Sequence, residues 1–418
     1  MLVFKFGGAS VKDAKAIINL GHVVGLFKDE QLLIVVSAMG KTTNALERLT
    51  KAYMTGDSSL HEVYEEIKSY HFTIMSELFE PSDTVFDEVN NTFVEIDWML
   101  EDEPHDDYDF IYDQIVSVGE LVSTRIVNAY LNKTGLNSHW LDVRGYIHTD
   151  NTYREGVVQW AKTKESILKD IPTRLQKSIL VTQGFLGGTS ENFTTTLGRE
   201  GSDYTASILA SCLGAESVTT WKDVPGILNA DPKLFSDTVK FDELSYAEAI
   251  EMTYYGASVI HPKTIKPLQN AKIPLLVKPF TDPQAPGTVI KEDGKNQFVK
   301  PVIIIKQNQV LLSISAKDYS FISEDHLSEL FRLFAKNHVK VNMMQTSALT
   351  FTVCVNHDEE RFKRLLHDLS ERFKAKYNSE LTLITSRHYT PASLKELAEG
   401  KTVLLEQISR NTAQMVVR

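Results

Sequence analysis

The residues with the plainest chemistry stand at the start of the chain, where Lys5 and the pair Gly7-Gly8 close the segment Met1-Leu-Val-Phe-Lys-Phe-Gly-Gly-Ala-Ser-Val11. Paired glycines leaving a strand let backbone N–H groups approach an anion, and a neighbouring lysine adds positive charge. The pattern suits a phosphate; a plain tight turn is the alternative. Ser37-Ala-Met-Gly-Lys-Thr-Thr-Asn44 presents the hydroxyls of Ser37, Thr42 and Thr43 at a helix start, which fits a carboxylate or phosphate, or simple N-capping. It is not a Walker A loop, because Val35 stands where that motif needs a glycine before Gly40-Lys41-Thr42.

Three further blocks carry charge in unusual places. In Val116-Ser-Val-Gly-Glu120 the carboxylate lies on an apolar helix and must be paired, by Arg125 or by a ligand. Gly198-Arg-Glu-Gly-Ser-Asp203 opens a helix, so Arg199 can fork onto a carboxylate while N–H groups near Ser202 add dipolar support. Asp203 is either a site residue or a stabilising acid of the first turn. Trp221-Lys-Asp-Val-Pro-Gly226 follows a strand, and turn signals continue to Asp231-Pro232-Lys233.

Taken in order, Lys5–Gly8, Ser37–Asn44, Val116–Glu120, Gly198–Asp203 and Trp221–Gly226 resemble the aspartokinases over nearly the whole chain. The resemblance implies an α/β amino-acid-kinase three-layer sandwich, ATP and Mg²⁺ as cofactors, L-aspartate as substrate, and no metal held by protein groups alone. It implies that Lys5 and Asp203 serve the transferred phosphoryl group. By the same match Ser37, Thr43, Glu120, Arg199 and Ser202 hold aspartate, and Lys5, Gly7, Gly8, Lys222, Asp223, Lys233 and Ser258 hold the nucleotide. The product would be 4-phospho-L-aspartate, on the route to lysine, threonine and methionine. No general base is needed, since the acceptor carboxylate is already ionised. His261, before Pro262, reads as a helix-start residue.

The chain departs from the family at Ala9, Glu200, Lys222, Leu228, Lys233 and Ser258, where many members have a lysine at the last position. Lys222 or Lys263 could restore that charge. Ala9, Glu200 and Ser258 keep open a catalytically silent amino-acid sensor, against which Lys5, Arg199 and Asp203 weigh. A sister kinase acting on glutamate, acetylglutamate or UMP is the other alternative, and Val116–Glu120 with the C-terminal modules weighs against it.

The elements that must position these residues follow from composition and periodicity. A chain of 418 residues with 42% hydrophobic and 24% charged residues is ordinary globular protein, too long for one core. Its formal charge of -11 argues against a nucleic-acid partner. No run nears 18 apolar residues, so no membrane partner and a cytoplasmic location are expected. Cys212 and Cys354 read as buried thiols rather than a disulfide or zinc site. Strands at Val3–Phe6, Leu32–Val36 and Ile179–Val181 alternate with helices at Ser10–Lys28 and Thr42–Met54, which predicts a sheet covered on both faces. A helical insertion spans Leu60–Asn132, broken near Pro81 and at the acidic run Glu101–Asp107, expected to be a solvated loop.

Pro279, Pro283, Pro286 and Gly287 mark a boundary, so a kinase domain is expected over 1–298. Strands at Val302–Ile305, Val310–Ser315, Val339–Met343 and Leu349–Val355, with helices at Ser323–Ala335 and Glu359–Phe373, suggest a ferredoxin-like unit over 299–378. It looks like an ACT module, the amino-acid-sensing unit that aspartokinases carry in pairs. A shorter βαββ pass over 379–418 cannot close its own sheet and should borrow from the first module or from another subunit. Effector contacts are expected at Phe321, Ile322, Asn342, Thr346 and Ser347, for lysine or, as second choice, threonine. A homodimer or higher homo-oligomer through these modules is expected.

Overall fold

Leu2–Phe6 (β1) and Leu32–Val36 (β2) are apolar runs buried almost end to end, as strands covered on both faces must be. They lie at the centre of an eight-stranded sheet. Its other strands are Ser138–Leu141 (β3), Ile179–Gln183 (β4), Ser217–Lys222 (β7), Glu243–Ser245 (β8), Leu275–Pro279 (β9) and Thr288–Lys291 (β10). Leu186–Gly188 (β5) and Thr194–Thr196 (β6) form a separate antiparallel ribbon. The order is β3-β4-β2-β1-β7-β9-β10-β8, parallel throughout except for β9 against β10.

The helices are Ala14–Gly25 (α1), Thr42–Thr55 (α2), Leu60–Leu78 (α3), Val85–Glu101 (α4), Tyr108–Lys133 (α5), Trp160–Leu175 (α6), Gly201–Leu213 (α7), Tyr246–Tyr255 (α8) and Pro262–Ala271 (α9). The expected helix from Ser10 is a 3-10 turn over Gly8–Val11 followed by α1, because the Asp13 side chain accepts from Ala16 N–H and caps the helix there. Trp221 is buried on the β1 face, edge-on to Phe4 at 5.4 Å and stacked on Phe6 at 6.2 Å. Lys5, between those phenylalanines, therefore points to the opposite face.

The computed structural model describes residues 1–257, 260–295, 298 and 300–418, and the chain forms two compact units. The first comprises Met1–Ile227, Lys240–Ile250 and Val259–Asn296; the second comprises Leu228–Val239, Glu251–Ser258 and Gln297–Arg418.

The second unit is built on one six-stranded antiparallel sheet. Its strands are Val302–Ala316 (β11), Val341–Thr346 (β12), Phe351–Asn356 (β13), Phe373–Arg387 (β14), Val403–Ile408 (β15) and Thr412–Val417 (β16), in the order β12-β13-β11-β14-β16-β15. Its helices are Glu324–Lys336 (α10), Glu359–Leu369 (α11) and Pro391–Ala398 (α12). The two strands expected at Val302–Ile305 and Val310–Ser315 are one 15-residue strand with a bulge, at which Asn308 takes a φ of 53°. The expected helix Glu359–Phe373 ends at Leu369, and Phe373 instead begins β14, whose tail supplies the first strand of the βαββ pass expected over 379–418. The N-terminal part of β11, residues 302–306, pairs with 383–387 of β14, so the short second module completes its sheet within the same chain.

Candidate active site

Parallel strands place ligand-binding groups at their carboxyl ends, and the charged residues of the first unit gather there. Lys5 sits opposite Val35 of β2 and Thr220 of β7. Lys222 ends β7, next to β1. Asp203 lies in the first turn of α7, where a carboxylate is also favoured by the helix dipole. The Lys5 ammonium approaches Asp203 Oδ1 at 2.6 Å and the Lys222 ammonium approaches Oδ2 at 3.4 Å. Asp203 and Lys5 are both buried. Burial alone would raise the Asp203 carboxyl; the ammonium groups of Lys5 and Lys222 overcome it and hold the group below its usual range.

Glycines admit the two loops that flank this pair. A Cβ on Gly8 would lie 2.8 Å from the carbonyl oxygens of Ala38 and Gly40, so only glycine fits where Gly40 N–H donates to Gly8 C=O. This contact brings Gly7-Gly8 and Ser37 together. Ser37 N–H donates to Phe6 C=O, its carbonyl accepts from the Ser123 hydroxyl, and Thr43 follows in the first turn of α2.

Glu120, on α5, enters the same region from the helical layer. Its Oε1 accepts from Ala38 N–H at 3.3 Å, while Oε2 is buried with no hydrogen-bond partner. Arg125 does not satisfy it: that guanidinium stacks on Trp140 at 4.1 Å and pairs with Glu88 at 3.6 Å. Burial pushes the Glu120 carboxyl up to about 8, against the pull of Ala38 N–H and Lys5. A buried acceptor with nothing to accept from marks a place for a donor that the protein alone does not supply.

Ser202 is buried beside Asp203, and Arg199 is exposed on the loop before α7. Glu200 adopts a left-handed φ of 53° at the N-cap, and its Oε2 is buried without a hydrogen-bond partner. Burial raises its carboxyl, with Lys222 opposing. Asp223 is exposed beyond β7, and Lys233 is exposed in the second unit, where Asp231 accepts from its backbone N–H. Ser258 lies outside the described residues. His261 caps α9 and accepts from Lys263 N–H, as a helix-start residue does. The thiol of Cys212 is buried on α7, and burial raises its pKa. Among the described residues, no group of three His, Cys, Asp or Glu side chains could hold a metal ion, and no helix is long and apolar enough to cross a membrane.

In the second unit Ile322 lies next to the residue that follows Ser347. Ile322 N–H donates to Ala348 C=O, and the Ser347 hydroxyl meets that of Thr350 at 2.7 Å. Phe321 and Thr346 are exposed nearby in sequence. Asn342 stands apart from them in its bonding: its amide donates to Gln309 and Asn356 and accepts from the Lys306 ammonium.

The sequence profile of the Amino acid kinase family matches residues 1–279. The lysine-sensitive aspartokinase 3 of Escherichia coli is 32% identical over 356 residues, which is 85% of this chain and 78% of that protein. The chain belongs to the aspartokinase family. Chloroplastic aspartokinase 1 of Arabidopsis thaliana is likewise 32% identical, over 85% of this chain and 63% of its own length. Among solved structures, E. coli aspartokinase III in complex with aspartate and ADP (R-state) superposes with a TM-score of 0.86 at 28% identity, over 100% of this chain and 96% of that one. The same enzyme with lysine and aspartate (T-state) gives 0.82 over the same shares. The fold is therefore that of an amino-acid kinase followed by ACT modules, and the family's activity is aspartate kinase.

What sequence reasoning missed here is Asp113-Gln114. An aspartate in the second turn of a helix gives no local signal of partners 41 and 83 residues away.

Proposed function

We propose that the cluster of Lys5, Asp203 and Lys222 transfers the γ-phosphoryl group of ATP to the side-chain carboxylate of L-aspartate, giving 4-phospho-L-aspartate and ADP. The observation that carries this reading is the unpartnered Oε2 of buried Glu120, a single acceptor suited to the ammonium of an amino acid. Arg199 takes the α-carboxylate with its planar fork, aided by N–H groups at Ser202. Ser37 and Thr43 line the acceptor end. Lys5, with Gly7 and Gly8, faces the phosphates and neutralises charge that builds in transfer. Lys222 and Asp223 are assigned to the nucleotide. Mg²⁺ would enter with it, since that ion takes one or two carboxylates beside substrate phosphates, and Asp203 and Glu200, whose Oε2 has no hydrogen-bond partner, are carboxylates that would hold it. It would supply neutralisation of the phosphate oxygens.

The test is aspartate-dependent ADP formation by the intact chain and by Lys5→Ala. Turnover with glutamate or UMP in place of aspartate would point to a sister kinase, and no turnover with any acceptor to a silent sensor.

The second unit is assigned to sensing an amino acid, with lysine the first candidate and threonine the second. The E. coli relative is lysine-sensitive, and here Ile322 N–H donates to Ala348 C=O, which brings 320–322 beside the turn that follows Ser347. We place the kinase over 1–298 and the modules over 299–378 and 379–418. Edge strand β12 carries the exposed residues 344–346 and suits pairing with a second subunit.

A further inference from the structure

The ribbon strand β6 is three residues long and leads directly into Gly198-Arg199-Glu200. One edge of it pairs with β5, with Leu186 opposite Thr196 and Gly188 opposite Thr194. Among the described residues no strand pairs with the other edge, and side chains of α5 take that place. The Gln114 amide accepts from Thr194 N–H at 3.1 Å and donates to Thr194 C=O at 2.9 Å. Asp113 Oδ2 accepts from Thr196 N–H at 2.9 Å, and Oδ1 accepts from the Thr196 hydroxyl at 2.7 Å. Asp113 Oδ2 also accepts from Arg154 N–H at 2.8 Å, in a residue with a left-handed φ of 67°. Gly156 N–H then donates to Thr196 C=O, so the loop 154–156 and the outer edge of β6 are closed by one buried carboxylate.

Asp113 is fully buried, and burial pushes its carboxyl up to about 6 while the Thr196 and Arg154 donors pull it down. At neutral pH it is ionised and accepts at both oxygens. It stands two helical turns, about 10 Å, before Glu120 on α5. We infer that Asp113 and Gln114 are positioning residues for the aspartate site, holding the arm 194–200 that carries Arg199 against the helix that carries Glu120. The inference rests on the reading that Arg199 and Glu120 grip the two ends of the aspartate backbone. An arm loosened by about 1 Å misplaces the Arg199 fork, a displacement that costs up to 10²-fold where geometry is tight.

The experiment combines steady-state kinetics with amide hydrogen exchange on the intact chain. Asp113→Asn leaves amide hydrogens facing N–H donors, so it should quicken exchange over 194–199 and raise the KM for aspartate roughly tenfold or more, with the KM for ATP within about twofold. Thr196→Val removes only the Oδ1 contact and should move the same readouts less; combined with Asp113→Asn it should add little, because both remove one interaction. If Asp113→Asn fails to fold, Thr196→Val and Gln114→Ala carry the test. Unchanged exchange over 194–199 overturns the positioning role, as does an equal rise in both KM values. Faster exchange with no change in KM, while Arg199→Ala still raises the aspartate KM, overturns the link from the arm to binding. If Arg199→Ala is also silent toward aspartate, the substrate reading itself is overturned.

Discussion

Lys5 is the residue on which both electrostatics and transfer depend. Lys5→Ala should lower kcat by about 10³-fold, the scale of losing one preorganised charge at a transition state. It also leaves buried Asp203 with Lys222 alone, at 3.4 Å, so the melting temperature should fall. Near-normal turnover in the variant would remove Lys5 from the mechanism. Arg199→Lys keeps the charge and loses the fork, so the KM for aspartate should rise far more than that for ATP; equal rises would indicate a general structural effect. Glu120 makes a prediction about protons. Its carboxyl is raised to about 8 in the free protein, so it is mostly protonated at pH 7, whereas a bound ammonium favours the carboxylate. Aspartate binding at pH 7 should therefore release a proton, seen as a heat that varies with the ionisation enthalpy of the buffer, and Glu120→Gln should abolish that variation. A buffer-independent heat in the wild type would contradict it. The sign for stability is the reverse of an ion-paired acid: the folded protein holds this proton more tightly, so its contribution is lost as pH rises from the unfolded value towards 8. Lys5 and Glu120 stood out in the sequence because each breaks the polarity of its own strand or helix, whereas Asp203, an acid in a first helical turn, was singled out only by the resemblance. Asp113 was not, since its acceptor role exists only after β6 and the 154–156 loop are folded against it.

At the scale of elements, β11 and β14 decide how the second unit behaves. Each runs for 15 residues, β14 crosses from 373 to 387 and β11 pairs with it along both halves, and the buried cluster of Met343, Cys354, Leu381, Leu383 and Val416 draws on strands from both sides of that pair. The two modules should open as one. Leu383→Ala should destabilise the unit by about 2–5 kcal/mol and raise native-state exchange of β12 and β13 amides along with those of β16. Acceleration confined to β15 and β16 would show two independent modules. The strands and helices of this region were legible from period and capping: Ser323 and Thr390 stand at helix starts and do cap α10 and α12. The continuity of β11 was not legible. The polar run Lys306-Gln-Asn-Gln309 separates the two expected strands, yet Gln309 is buried and bonded to Asn356, Asn342 and Gln307, which lets the strand pass through. A sheet pairing made by residues seventy positions apart leaves no local period to read.

For the whole molecule, the sensing assignment is testable without further structure. Lysine, or failing that threonine, at millimolar levels should inhibit the intact chain and raise its melting temperature, because a ligand bound only to the folded state stabilises it. The double variant Asn342→Ala, Ser347→Ala should lose both effects. If neither amino acid inhibits or stabilises the wild type, sensing of these two ligands is ruled out. The proline and glycine cluster near 279–287 made a division of the chain legible, but the allegiance of 228–239 and 251–258 to the second unit was hidden, because it depends on distant partners. Asn229 bonds through its backbone to Ile303 and through its side chain to Pro301, and Glu251 pairs with Arg387 at 2.9 Å. That interlacing sets a timetable at the ribosome. With synthesis at about 5–20 residues per second, the 136 residues between Glu251 and Arg387 take roughly 7–27 s to appear. Throughout that interval two strips of newly made chain, one of them carrying the apolar Phe235, await neighbours not yet translated, so a pause late in the message would lengthen their exposure to chaperones and proteases.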